Sequence, residues 1–140
     1  SVFMCHGTPD SDTTYWLERV LPNGTVAPNT REEIEAAGAG VACPLILCGL
    51  TLLARLVQLR DGRVILNPGS GGLPAYDDDS PVHHVVAAGS TAARYCIVTP
   101  RAGTWDVTFR AIPYDTARMA EMAQDAGRMD WARAVSTGWL

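Results

Sequence analysis

The spacing of apolar positions changes along this chain, and each change predicts a different element. Leu45-Ile46-Leu47-Cys48 is a short unbroken apolar run that ends at Gly49, the pattern of a strand covered on both faces. Val2 to Cys5 predicts a second short buried strand, and His6-Gly7-Thr8-Pro9 its terminal loop. Arg55 to Leu59 and Arg63 to Leu66 flank Arg60-Asp61-Gly62. Asp-Gly between two strand-like runs is a strong hairpin signal. Trp105 to Ile112 alternates apolar and polar residues, which predicts one inward and one solvated face. Its partner is Arg94 to Thr99, joined through Pro100 to Gly103, and Val82 to Ala87 reads as a further strand.

Helical signals lie between and after these runs. Thr30-Arg31-Glu32-Glu33 is a capping box, in which the Thr and Glu side chains satisfy free N–H groups at a helix start. That helix should run to about Ala37 and stop at Gly38. Pro9-Asp10-Ser11-Asp12 offers similar start chemistry, and Tyr15, Trp16, Leu17 and Val20 fit one or more helical turns after it. Asp115 predicts an N-cap for a helix over Thr116 to Ala126, with Met119, Ala120, Met122, Ala123 and Ala126 as its apolar side and Gly127 as its stop. Asp130 should cap a last helix from Trp131 to Val135, ending before Gly138. Pro22-Asn23-Gly24 and the polar stretch Tyr76 to Pro81 read as turn and loop. The helix-then-strand order around Leu45 suggests a crossover unit of an α/β sheet. No internal repeat interrupts a single domain over residues 1–140.

Composition narrows the classes. Hydrophobic content of 47% and charge of 19% are those of a globular chain. A net charge of −4 with scattered basic residues argues against a nucleic-acid backbone as the main partner. Pro44 to Leu53, the longest apolar stretch, is too short to span a bilayer. Cys5, Cys43, Cys48 and Cys96 form no C-x-x-C pair. They read as reduced thiols of a cytoplasmic protein.

Candidate chemistry concentrates in two loops that leave neighbouring strand ends, Gly49-Leu50-Thr51-Leu52 and Asn67-Pro68-Gly69-Ser70-Gly71-Gly72. Glycines at 69, 71 and 72 would let backbone N–H groups converge on an anion, with Asn67 and Ser70 adding polar side chains. The alternative is an ordinary tight loop after a hairpin strand. Asp77-Asp78-Asp79 reads as a solvated loop. His83 and His84, adjacent on a strand, point to opposite faces and cannot easily share an ion.

These motifs resemble the C-terminal half of a calcineurin-like metallophosphoesterase of the small bacterial phosphodiesterase type. Such proteins carry a strand, Gly-His-Thr-His, a hairpin and then Asn-Pro-Gly-Ser. Here Asn67-Pro68-Gly69-Ser70 matches fully, as do Gly49 and Thr51, but both histidine positions are leucine, Leu50 and Leu52. Cys5-His6-Gly7-Thr8-Pro9 is similar to the family's strand-end His-Gly element, and Ala111-Ile112-Pro113-Tyr114-Asp115 extends the likeness downstream. The family's Asp-x-His, Gly-Asp and Gly-Asn-His motifs are absent.

The resemblance implies an α+β fold, part of an α/β/β/α sandwich with a mixed β-sheet and flanking helices. It implies hydrolysis of phosphate esters by two divalent metals (manganese, iron, zinc or nickel), which activate a bridging water. It makes His6 a metal ligand, Leu50 and Leu52 degenerate ligand positions, and Asn67, Gly69 and Ser70 a phosphate or substrate loop. Leucine has no lone pair, so the chain alone is expected to hold no metal and to be inactive. A partner chain could complete the centre. Alternatively, the chain is a non-catalytic anion- or nucleotide-binding or scaffold module. Half of a sandwich exposes one sheet face, which predicts a homo-oligomer or pairing with a separate N-terminal half.

Overall fold

A computed structural model describes all 140 residues. The chain is α+β. Its strands are β1 (Val2–Met4), β2 (Glu18–Val20), β3 (Val26–Pro28), β4 (Leu45–Leu47), β5 (Arg55–Gln58), β6 (Val64–Asn67), β7 (Ala75–Asp78), β8 (His84–Ala87), β9 (Ala93–Arg101) and β10 (Thr104–Ile112). Its helices are α1 (Arg31–Ala37), α2 (Ala117–Asp125) and α3 (Met129–Thr137). One mixed sheet has the order β1-β4-β6-β5, with β1, β4 and β6 parallel and β5 antiparallel to β6. The remaining strands form three antiparallel two-stranded ribbons, β2 with β3, β7 with β8, and β9 with β10.

The central strands carry the core. Ile46 pairs with Ile65, and both are fully buried on the face that meets Trp16, Leu17, Ile34 and Leu59. Leu45, Val64 and Leu66, which point the other way, are buried as well. A side chain of this size contributes about 1.5–3 kcal/mol when fully buried. Helix α1 covers the first face and starts as its capping box requires: Thr30 Oγ1 accepts from the Glu33 N–H, and Glu33 reaches back to the Thr30 N–H. The β5–β6 hairpin turns at Gly62, whose φ of +89° suits glycine. No helix is long and apolar enough to cross a membrane.

Several elements differ from expectation. Strand β1 is an open edge, so Val2 and Met4 are 52% and 76% exposed instead of buried. Residues 9–20 form no helix. The Ser11 hydroxyl accepts from the Thr13 N–H and the Thr14 hydroxyl, closing a local turn. Trp16 anchors its indole N–H on the Ile34 carbonyl at 3.0 Å, and the chain continues as β2. The expected loop at Tyr76 begins as strand β7, which carries Asp77 and Asp78. Strand β8 starts at His84 and not at Val82.

The second hairpin is longer than predicted, turning at Ala102-Gly103. Its inward face is only partial: Trp105 and Val107 are half-buried, but Phe109 is 40% exposed. Thr116 and not Asp115 occupies the N-cap of α2, although Asp115 Oδ1 still accepts from the Ala117 N–H. Helix α3 begins at Met129, which leaves Asp130 in its first turn.

Candidate functional site

Because β1, β4 and β6 run parallel, their carboxyl ends share one edge of the sheet, where sites of α/β folds tend to form. Three loops leave there: His6–Pro9, Gly49–Leu52 and Asn67–Gly72. Backbone bonds hold their roots in register, from the Cys5 N–H to the Leu47 carbonyl (3.0 Å), the Gly49 N–H to the His6 carbonyl (2.8 Å) and the Cys48 N–H to the Leu66 carbonyl (2.9 Å). His6 is exposed beside Gly49, where an added Cβ would stand 3.7 Å from its Nδ1. Its imidazole makes no hydrogen bond within the chain.

Leu50 and Leu52 are the only non-glycine residues with positive φ, at 65° and 60°. The Thr51 N–H donates to the Gly49 carbonyl at 2.8 Å, so residues 49–51 form a γ-turn with a left-handed apex at Leu50. That mirror form of the turn is rare and strained, and each such residue costs on the order of 1–3 kcal/mol. Strain of this size persists only where the surroundings over-determine the backbone.

The surroundings are a buried polar network. Thr51 is 1% exposed, and its hydroxyl donates to Glu18 Oε2 at 2.6 Å. Glu18 is equally buried, and its other oxygen accepts from Arg55 Nε. Without these partners a buried carboxylate would be costly. Asn67, also 1% exposed, donates through Nδ2 to the Gly49 carbonyl at 2.9 Å and to Thr51 Oγ1 at 3.1 Å. Its Oδ1 accepts from the Gly69 N–H at 2.9 Å. The Asn67 amide therefore braces the two loops and faces no solvent.

A second chain of groups closes the other side. The Tyr76 hydroxyl lies 2.6 Å from the Tyr15 hydroxyl and 3.3 Å from the Leu50 carbonyl, and Tyr15 lies 2.8 Å from Nε2 of His84. The Val82 carbonyl can only accept, so His84 Nδ1 carries a proton toward it at 2.8 Å. Burial raises both tyrosines above their ordinary range, and their mutual contact raises Tyr76 further. His83, by contrast, is exposed and meets Asp79.

The glycine loop is open at its tip. A Cβ at Gly71 or Gly72 would meet nothing within 4 Å. Gly69 has φ +87°, and a Cβ there would touch the Arg94 stem at 3.0 Å. The Ser70 carbonyl accepts from the Arg94 N–H at 2.8 Å, and Ser70 Oγ accepts from the Gly72 N–H at 3.2 Å.

These residues do not fit a divalent metal pair. His6 is the sole imidazole among the three loops. Leu50 and Leu52 offer no donor atom, and the Thr51, Glu18 and Asn67 side chains are engaged in hydrogen bonds within the network, with Arg55 and with the Gly49 and Gly69 backbone. No cluster of three or more His, Cys, Asp or Glu side chains could hold a metal ion. Cys48 sits below the loops with its thiol pushed up to about 12 by burial, and all four cysteines are free.

The structure thus brings together His6, Leu50, Leu52, Asn67, Gly69 and Ser70. It adds Glu18, Thr51, Arg55 and Arg94, which sequence reasoning did not single out as site residues. A carboxylate directly after the apolar pair Trp16-Leu17 was the one available signal for Glu18. No protein-family model matches the chain, and no curated protein matches it in sequence.

Proposed function

We propose that the chain is a metallophosphoesterase-like protein without a complete metal centre, inactive alone, that retains an oxyanion-binding loop at Asn67–Gly72. In this reading the fold is part of the family's α/β/β/α sandwich. The observation that carries the proposal is the pair of left-handed backbone positions at Leu50 and Leu52. These are the two positions that the resemblance gives to metal-binding histidines. Histidine tolerates this backbone region better than bulky apolar residues do. A strained stretch with donor-free side chains at both positions, directly after the Gly49 that stands beside His6, is what loss of a metal site by substitution would leave behind.

The open edge at Val2 and Met4, together with Leu56 at 44% exposure on the opposite edge, favours assembly with a second copy or with a separate N-terminal half. The ligand class is a phosphate ester or nucleotide, held through its phosphoryl group.

The test is elemental analysis after manganese loading and removal of free ion, alongside hydrolysis of a generic phosphodiester. Near-zero metal and no turnover are expected. About two metals per chain with turnover would overturn the proposal.

A further inference from the structure

Arg94 stands against the glycine loop with its charge unanswered. Its aliphatic stem packs on Gly69, beside the Leu52 carbonyl, and its backbone N–H ties strand β9 to the Ser70 carbonyl. Its Nη2 donates to the Ala88 carbonyl at 3.1 Å, but no carboxylate lies within ion-pair distance. Its Nε is the only buried side-chain nitrogen or oxygen in the chain without a hydrogen-bond partner. Buried donors are nearly always satisfied, and an exception calls for an acceptor. A charged donor is the costliest to leave unpaired. Nearby, the Ser70 and Gly71 N–H groups have no acceptor within the chain, and the space above Gly71 is open.

We propose that Arg94 is the cation of an oxyanion site whose main-chain donors are the Ser70 and Gly71 N–H groups, and that it recognises a phosphoryl group. Guanidinium matches phosphate oxygens through parallel N–H donors, and successive backbone N–H groups in a turn form an anion-binding concavity. The inference rests on the anion-binding reading of the loop and supplies the charge that the loop lacks. It needs no metal.

The experiment is a titration of the isotope-labelled full chain with inorganic phosphate, at ionic strength held constant with sodium chloride. Backbone amides and arginine Nε–Hε signals are followed by NMR, with Arg94→Lys identifying the Arg94 signal. Saturating shifts of the Arg94 Nε–Hε and of the Ser70 and Gly71 amides are expected, with about tenfold weaker phosphate binding in Arg94→Lys. Shifts of the two amides without the Arg94 signal would overturn the role of Arg94 and leave the loop reading standing. No saturating shift in any of the three would overturn both. The wild-type titration decides the matter even if the variant fails to fold.

Discussion

Asn67 Nδ2 donates to the Gly49 carbonyl at 2.9 Å, and the same oxygen accepts the Thr51 N–H that closes the strained turn over Leu50. One side chain from the end of β6 therefore clamps the backbone after β4. Asn67→Ala removes this bond and those to Thr51 Oγ1 and from the Gly69 N–H. At about 1 kcal/mol per bond, the expected loss is roughly 2–4 kcal/mol of stability. Thr51→Val strands one oxygen of the buried Glu18 carboxylate and should cost about 1–3 kcal/mol. Urea unfolding measures both. A loss below about 0.5 kcal/mol for Asn67→Ala would mean that the turn holds without its clamp.

Leu50→His with Leu52→His tests the origin of the turn. Histidine is enriched in the left-handed region, so the double variant should stay within about 1 kcal/mol of the parent. It would add two imidazoles to the loop whose Gly49 stands beside His6. Nickel affinity, followed by calorimetry, should rise by about 10–100-fold over the parent chain. Unchanged affinity would show that the three loops do not converge closely enough to share an ion.

The helix over Arg31–Ala37 and the hairpin around Gly62 were legible because their signals are local: a Thr side chain and a Glu three residues on, an Asp-Gly pair between apolar runs. The loop positions at 49–52 and 67–72 were legible for the same reason, since each follows an apolar strand and is marked by glycine. What escaped was set by distant partners. Glu18 looked helical by spacing, but Thr51 and Arg55 draw its carboxylate into the interior as a strand residue. Asp77 and Asp78 carry no strand signal, yet they pair with Val85 and His84 at the end of the ribbon where their own side chains are exposed and charge is tolerated. Nothing in Leu50 or Leu52 announces a positive φ, which is the property that most distinguishes them.

Alkaline pH should unfold the chain from a definite starting point. Cys48 sits at about 12 in the fold against an ordinary 9.0, so the folded state holds its proton longer than the unfolded state does. That contribution is complete below pH 9 and is lost as pH rises toward about 12. Tyr15 and Tyr76 are raised from 10.0 and act in the same direction at higher pH. The urea midpoint should therefore stay flat near neutral pH and fall above pH 9. Tyr76→Phe should make the fall above pH 10 shallower. A midpoint that rises through this range would contradict the burial of these groups.

The end of α3 holds the loop that holds Arg94. Gly138 has φ +83°, and its carbonyl accepts from the Gly89 N–H at 3.1 Å. A Cβ at Gly138 would stand 2.3 Å from the Ser90 nitrogen. Gly127 has a similar φ of +73°, but a Cβ there would meet nothing within 4 Å. The two glycines separate backbone strain from collision. Gly127→Ala should cost about 1–2 kcal/mol, the left-handed penalty alone. Gly138→Ala adds a clash with main chain that no rotamer can relieve, so its cost should exceed that of Gly127→Ala by at least about 1 kcal/mol. Ala88, whose carbonyl anchors Arg94 Nη2, directly precedes Gly89. Gly138→Ala should therefore also shift the Arg94 Nε–Hε signal while Gly127→Ala leaves it in place. Equal melting temperatures for the two variants would show that the helix end and the loop are not packed together in solution.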